Sequence, residues 1–225
     1  MPNVMTRIAP TKARRLTLKL PENGKVSGLW LCPKSAKACL VLAHGAGAGM
    51  AHAAMTAIAE GLAERDVATL RYQFPYMERG SKRPDRPEVA HIAVRAACAR
   101  AAALAPDLPL LAGGKSFGGR MTSQTQALQP LPGVRGLVFF AFPLHPPDKP
   151  GVGRADHLGD VKIPMLFLQG TRDALAELKL LRSVVARGGR RAKLILAPQA
   201  DHAFHVPARS GQSDAEVLAT LLDGA

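Results

Sequence analysis

Aromatic side chains are scarce in this sequence, at 4% of residues, which is too few to lay out a platform for stacking successive nucleobases. Acidic residues are also few. Seventeen Asp and Glu stand against 30 Lys and Arg, for a formal charge of +13. Such a surface could meet nucleic acid, anionic lipid or acidic substrates. The basic residues are scattered and mostly arginine among abundant alanine, as a compositional bias would leave them, and with so few aromatics nucleic acid is the weaker reading. Cysteine is nearly missing: Cys32, Cys39 and Cys98 are odd in number and lack metal-type spacing. Cys98 sits in an alanine-rich helical pattern and reads as a small core residue. No stretch approaches the ~18 apolar residues of a membrane span. Met1 to Arg15 has no apolar h-region, so no secretory leader is expected there. The expected setting is a reducing cytoplasm, away from membranes.

What is present is 47% hydrophobic residues in a chain of 225, enough for one domain with a sizeable core. Leu16 to Leu20 and Lys25 to Leu31 read as strands joined through an Asn23-Gly24 hairpin signal. Ala38 to Ala43, Val67 to Phe74, Leu108 to Ala112, Val134 to Phe142, Ile163 to Gln169 and Lys193 to Ala197 read as further strands. Helical spacing covers Ala51 to Arg65, Val89 to Ala105, about Phe117 to Gln129, Ala174 to Arg187 and about Ser213 to Leu222. Apolar strands alternating with helices predict an α/β chain: a mostly parallel, doubly wound sheet with an antiparallel N-terminal edge. Active groups in such a sheet lie beyond the C-terminal ends of its strands.

One stretch meets that rule with chemistry attached. Gly114-Lys115-Ser116-Phe117-Gly118 fits G-x-S-x-G, the strand-to-helix turn that lifts a serine hydroxyl above a sheet edge. The same residues end a Walker A pattern, but position 109 is Pro109 where that loop needs glycine. A serine nucleophile needs a base. Among the seven histidines, His202 follows the last strand in Pro198-Gln199-Ala200-Asp201 and is the candidate. His205 is expected to pack or to bind backbone. His52 and His91 lie at helix starts, and His157 precedes a strand. Asp173, after the strand ending at Gln169, is the candidate to orient the base, although an aspartate there could equally cap the helix from Ala174. Asp156 and Asp160 lie at the wrong end, and Asp148 is the reserve. His44-Gly45-Ala46-Gly47 follows another strand. The Ala46 and Phe117 N–H groups are the candidate oxyanion donors, and His44 is expected to be structural. A dinucleotide reading of 45–50 fails because Met50 stands at the third glycine position.

Taken in order, HGAGAG (44–49), RYQFPYMERG (71–80), GGKSFGGR (113–120), FPLHPP (142–147), QGTRD (169–173) and ADHAFHVP (200–207) resemble the α/β-hydrolase superfamily, in its small dienelactone-hydrolase-like branch. The similarity is to bacterial α/β-hydrolase-like proteins related to a testis-expressed protein and to a scaffold subunit of a chromatin acetyltransferase complex. It implies a serine hydrolase of small esters or thioesters that needs no cofactor and no metal. Dienelactone hydrolases proper use a cysteine where this chain has Ser116. Some superfamily members are non-catalytic scaffolds, so an interaction module is the alternative. Two long loops, Pro75 to Pro87 and Pro143 to Asp160, lie beyond strand ends. The second is too short and proline-rich for a helical cap, which predicts an open, shallow site. Arg79, Lys82, Arg83 and Arg86 in the first loop, with Arg120 one turn beyond Ser116, suggest a basic rim for an anionic substrate. Arg79, Arg120 and His145 are the candidate substrate-binding residues.

Overall fold

The computed structural model describes residues 12–22 and 24–225. Asn23 of the hairpin signal, and the part of the Met1 to Arg15 stretch before Lys12, lie outside them. The strands are β1 (Arg14–Lys19), β2 (Lys25–Leu31), β3 (Ala38–Ala43), β4 (Val67–Tyr72), β5 (Leu110–Lys115), β6 (Val134–Phe140), β7 (Met165–Gly170) and β8 (Ala192–Ala197). They form one eight-stranded sheet in the order β1-β2-β4-β3-β5-β6-β7-β8. β1 pairs with β2 and β2 with β4 antiparallel; every other neighbouring pair is parallel. The apolar runs of β3, β4 and β6 are buried almost throughout because helices cover both sheet faces.

The helices are α1 (Ala53–Ala63), α2 (Pro75–Glu78), α3 (Pro87–Leu104), α4 (Phe117–Leu128), α5 (Leu178–Arg187) and α6 (Asp214–Asp223). α1 and α6 pack with Leu40, Leu42, Val138 and Phe140 on one face. α3, α4 and α5 pack with Val41, Ala112, Phe139 and Phe167 on the other. Alternation along β5 divides its side chains between these layers: Leu110 and Ala112 join the α3/α4 side, whereas Leu111 packs toward α1 and α6. Cys98 is fully enclosed on α3, and burial pushes its thiol up to about 12. Among the described residues no helix is long and apolar enough to cross a membrane.

Three boundaries differ from the sequence reading for physical reasons. β5 runs through both glycines to Lys115 rather than stopping at Ala112, since the glycines let the neighbouring strands close in. The helix expected from Ala174 begins at Leu178. Residues 174–177 instead dock on the loop after β6, where Leu144 and His145 N–H groups donate to Leu175 O at 2.8 and 3.1 Å. Asp173 therefore does not cap that helix: the N-cap is Glu177, without a side-chain bond. The loop after Phe74 folds its first residues into α2, with Pro75 at the first helical position, where its missing N–H is no loss. Between β6 and β7 the regular structure is one 3-10 segment, Gly153–Asp160, so no helical cap stands over the sheet among the described residues.

Candidate active site

Ser116 joins β5 to α4 with φ 51° and ψ −116°, a conformation that L residues rarely adopt. The turn is this tight because β5 and α4 both press on the end of β3. A Cβ at Gly114 would lie 2.4 Å from Ala43 O, and one at Gly118 would lie 2.5 Å from the same oxygen. A side chain at Gly114 would push β5 away from β3, and one at Gly118 would push α4 off the sheet. The Ser116 N–H is fixed by Phe140 O at 2.9 Å, which leaves the hydroxyl at the C-terminal edge of the strands.

The three candidate side chains meet there. Ser116 Oγ lies 2.8 Å from His202 Nε2, and His202 Nδ1 lies 2.7 Å from Asp173 Oδ2. The Asp173 carboxylate is fully enclosed, and the His202 side chain is 27% exposed. Asp173 also accepts from Gln169 Nε2 at 2.5 Å and from the Leu175 N–H at 2.8 Å. Its lone pairs are thus directed by three donors, which keeps one oxygen aimed at the imidazole. Gln169 escaped sequence reasoning, since an amide inside an apolar strand gives no sign of its partner. Gly170 helps in a similar way: a Cβ there would strike Ala200 O at 2.3 Å and Asp201 O at 2.6 Å, so glycine lets β7 reach the loop that carries the histidine. In that loop Asp201 Oδ1 accepts from the Ala203 and His205 N–H groups at 2.7 and 2.9 Å, which curls it and presents His202. A hydroxyl bonded to an imidazole whose far nitrogen is held by a carboxylate can hand over its proton as it attacks a carbonyl.

The loop after β3 is built from backbone bonds. His44 is wholly buried; its Nδ1–H donates to Gly45 O at 2.7 Å and its Nε2 accepts from the Phe74 N–H at 3.0 Å. Burial pushes this imidazole down to about 4, against the pull of the Gly45 carbonyl. Gly45 O and the Ala46 N–H belong to one planar peptide, so the bond from His44 sets where that N–H points. Tyr76 donates to Ala46 O at 2.9 Å, and Arg71 and Gln73 bind Met50 O and the Met50 N–H at 3.0 and 2.9 Å. The RYQFPY segment is therefore a brace for the HGAGAG loop. Among the described residues neither the Ala46 nor the Phe117 N–H donates to another protein group.

The remaining candidates separate. Arg79 pairs with Asp85 at 2.5 Å on the surface. His145 is buried, with Nδ1 on Pro146 O at 2.9 Å and Nε2 taking the Glu177 N–H at 3.1 Å, so its ring ties two loops and offers nothing to a ligand. Arg120 lies on α4, one turn beyond Ser116. Its Cζ lies 6.0 Å from the Phe117 ring centroid, and its buried Nε has no partner among the described residues. Burial and then the like charge of Arg154 push it below the usual guanidinium range. Arg154 itself donates to His145 O at 3.1 Å. Asp148 is exposed and makes no bond to His202 among the described residues. His205, expected to pack or bind backbone, instead pairs with Asp214 at 2.9 Å on the surface. His157 accepts or donates to Ser123 Oγ at 2.7 Å beside α4.

A mostly parallel eight-stranded sheet with a serine, a histidine and an aspartate meeting at its C-terminal edge defines an architecture of the α/β-hydrolase kind. A family model described as an alpha/beta hydrolase domain matches residues 36–225, and the chain belongs to that family. Its structure is similar to a dienelactone hydrolase from Anabaena variabilis, at TM-score 0.76 and 19% identity over 96% of this chain and 97% of that one. It is also similar to an α/β serine hydrolase without lid from Xanthomonas campestris, at TM-score 0.74 and 20% identity over 96% and 95%. The third is Est1E from Butyrivibrio proteoclasticus with ferulic acid bound, at TM-score 0.69 and 15% identity over 92% and 98%.

Proposed function

We propose that this chain is a serine hydrolase of small carboxylic esters or thioesters, working through an acyl-enzyme on Ser116. The observation that carries this reading is the unbroken hydrogen-bond path Ser116–His202–Asp173, with the serine held in a strained turn. His202 Nε2 takes the Ser116 proton as Oγ attacks the carbonyl carbon. The oxyanion settles between the Ala46 and Phe117 N–H groups, the second aided by the N-terminal end of α4. His202 gives its proton to the departing alcohol or thiol, then activates the water that frees the acid. Asp173 holds the imidazole tautomer throughout and balances its charge.

The proposal extends to substrate charge. Arg120, one helical turn beyond Ser116, lies close to Arg154, and neither has an acidic partner among the described residues, which favours a carboxylated or phosphorylated ester over a neutral one. Arg79, already paired, falls out of that role. The test is covalent labelling with a fluorophosphonate probe. Wild type is expected to label and Ser116→Ala not to; absence of labelling in both would favour the interaction module. A panel of neutral and anionic esters and thioesters then reads the charge preference.

A further inference from the structure

Lys115, the residue before the serine, has no part in the chemistry above. It projects from the end of β5 toward α1 and α6, on the side of the sheet that Leu111 also faces. Its side chain is half-buried, and its ammonium donates to His202 O at 2.7 Å and stands 4.8 Å from the Phe204 ring centroid. An ammonium has three donors, and that carbonyl uses one. No carboxylate among the described residues forms an ion pair with it. Burial pushes it down to about 8, although Asp173 and Asp201 pull the other way. The same lysine lines a cleft of about 300 Å³ walled by Ile58, Phe204 and Leu218, with Asp214 and Ala215 among its other lining residues. Neither Ser116 nor His202 lines that cleft.

We propose that the cleft between α1 and α6 is a second ligand site, taking a small organic carboxylate with its charge on Lys115 and its apolar body against Ile58, Phe204 and Leu218. The volume suits a ligand of a few carbons at the small end of ordinary binding pockets. An incoming carboxylate supplies the acceptor that the spare ammonium donors lack, in a setting where a charge-assisted bond is strong. The apolar walls select an organic acid over an inorganic anion. Asp214 does not oppose it strongly, since its carboxylate already faces His205 and the Val206 N–H. Phe204, at φ 68°, follows His202 by two residues, and the Lys115 bond ends on the His202 carbonyl itself. Occupation of the cleft therefore reaches the loop that carries the imidazole.

The experiment is titration of Ser116→Ala protein with hexanoate, hexan-1-ol and hexanamide, followed by amide chemical shifts and calorimetry. No turnover is read, so the outcome is independent of the hydrolase proposal. Hexanoate is expected to bind saturably, to shift the Lys115, Ala203 and Phe204 amides, and to bind about tenfold or more tightly than the alcohol. Lys115→Met should erase the preference for the acid. Ala215→Trp, a change at an exposed position, should block the cleft while circular dichroism shows the fold intact. Equal binding of acid and alcohol would overturn the site. So would shifts confined to Phe117 and Arg120, unchanged binding in Ala215→Trp, or no saturable binding at millimolar ligand.

Discussion

His44 and His202 stand at matching places, each just past the end of a parallel strand, and their surroundings could hardly differ more. His44 is enclosed and both its nitrogens are bonded to main chain. His202 is partly exposed and both its nitrogens face side chains that can gain or lose protons. A ring held by two peptides is fixed in one tautomer and can only position. A ring held between a hydroxyl and a carboxylate can accept a proton and keep it. The difference lies in the partners, and on the function proposed above it would separate scaffold from chemistry in two histidines that the strand rule alone treats alike.

The comparison is broken most forcefully at the second ring. Ser116→Ala and His202→Ala should each reduce turnover of an ester that wild type hydrolyses by about 10⁴–10⁶, with Asp173→Asn losing about 10⁴ through the wrong tautomer. Steady-state kinetics on purified variants checks this. A loss below about tenfold in any of the three would show that the hydrogen-bond path is not the working one. Thermal unfolding should barely move for Ser116→Ala, whose hydroxyl carries no packing.

His44→Ala should behave in the opposite way. It leaves the Phe74 N–H without an acceptor and strips edge-on contacts to Phe74 and Tyr76 at 4.9 and 6.1 Å. Stability should fall by about 2–4 kcal/mol in chemical denaturation. Turnover should drop by about 10²–10³ if the freed Gly45–Ala46 peptide rotates its N–H away from the oxyanion. Little change in KM would accompany it. Normal turnover in a destabilised variant would remove Ala46 from the oxyanion site and leave His44 a packing residue.

The same ring gives a pH dependence. Its folded value of about 4 lies below the ordinary 6.5, so the neutral form is the one the fold prefers. The contribution is complete above 6.5 and is lost as pH falls from there to about 4. His157, pushed down to about 4 by burial and then by Arg120, acts in the same direction. For His44 the loss amounts to about 3 kcal/mol at most. Urea titrations at pH 7 and pH 4.5 should show it, and His44→Phe should flatten the slope.

Much of this was legible from the sequence because the signals were local. Buried strands announce themselves as apolar runs, and G-x-S-x-G encodes a turn that two glycines make sterically possible. The strand-end rule then picked Asp173 and His202 out of several alternatives, and they do lie together. Contacts between distant segments were not legible. Nothing in RYQFPY indicates that Arg71, Gln73 and Tyr76 grip the loop at 44–50, because each bond joins segments more than twenty residues apart in sequence. His145 shows the same limit: a histidine beyond a strand looks available until the Glu177 N–H is seen on its ring. Arg79 looks equally free in the sequence until its pair with Asp85, six residues along, is seen.

The smallest expected effect sharpens the contrast furthest. Tyr76→Phe removes one hydroxyl whose only described bond is to Ala46 O, and it leaves the ring packed. Burial pushes that phenol up to about 12, so it remains a donor across any practical assay range. The loss should be that of one neutral hydrogen bond, about 0.5–1.5 kcal/mol, or roughly two- to tenfold in kcat, with KM unchanged and no dependence on pH between 6 and 9. His44 would still orient the Gly45–Ala46 plane, which is why the effect should be modest. Combining Tyr76→Phe with His44→Ala should then cost less than the sum of the two, because both act on the placement of the same N–H. Strict additivity would mean that the tyrosine and the histidine brace different things, and that the loop after β3 is not one unit.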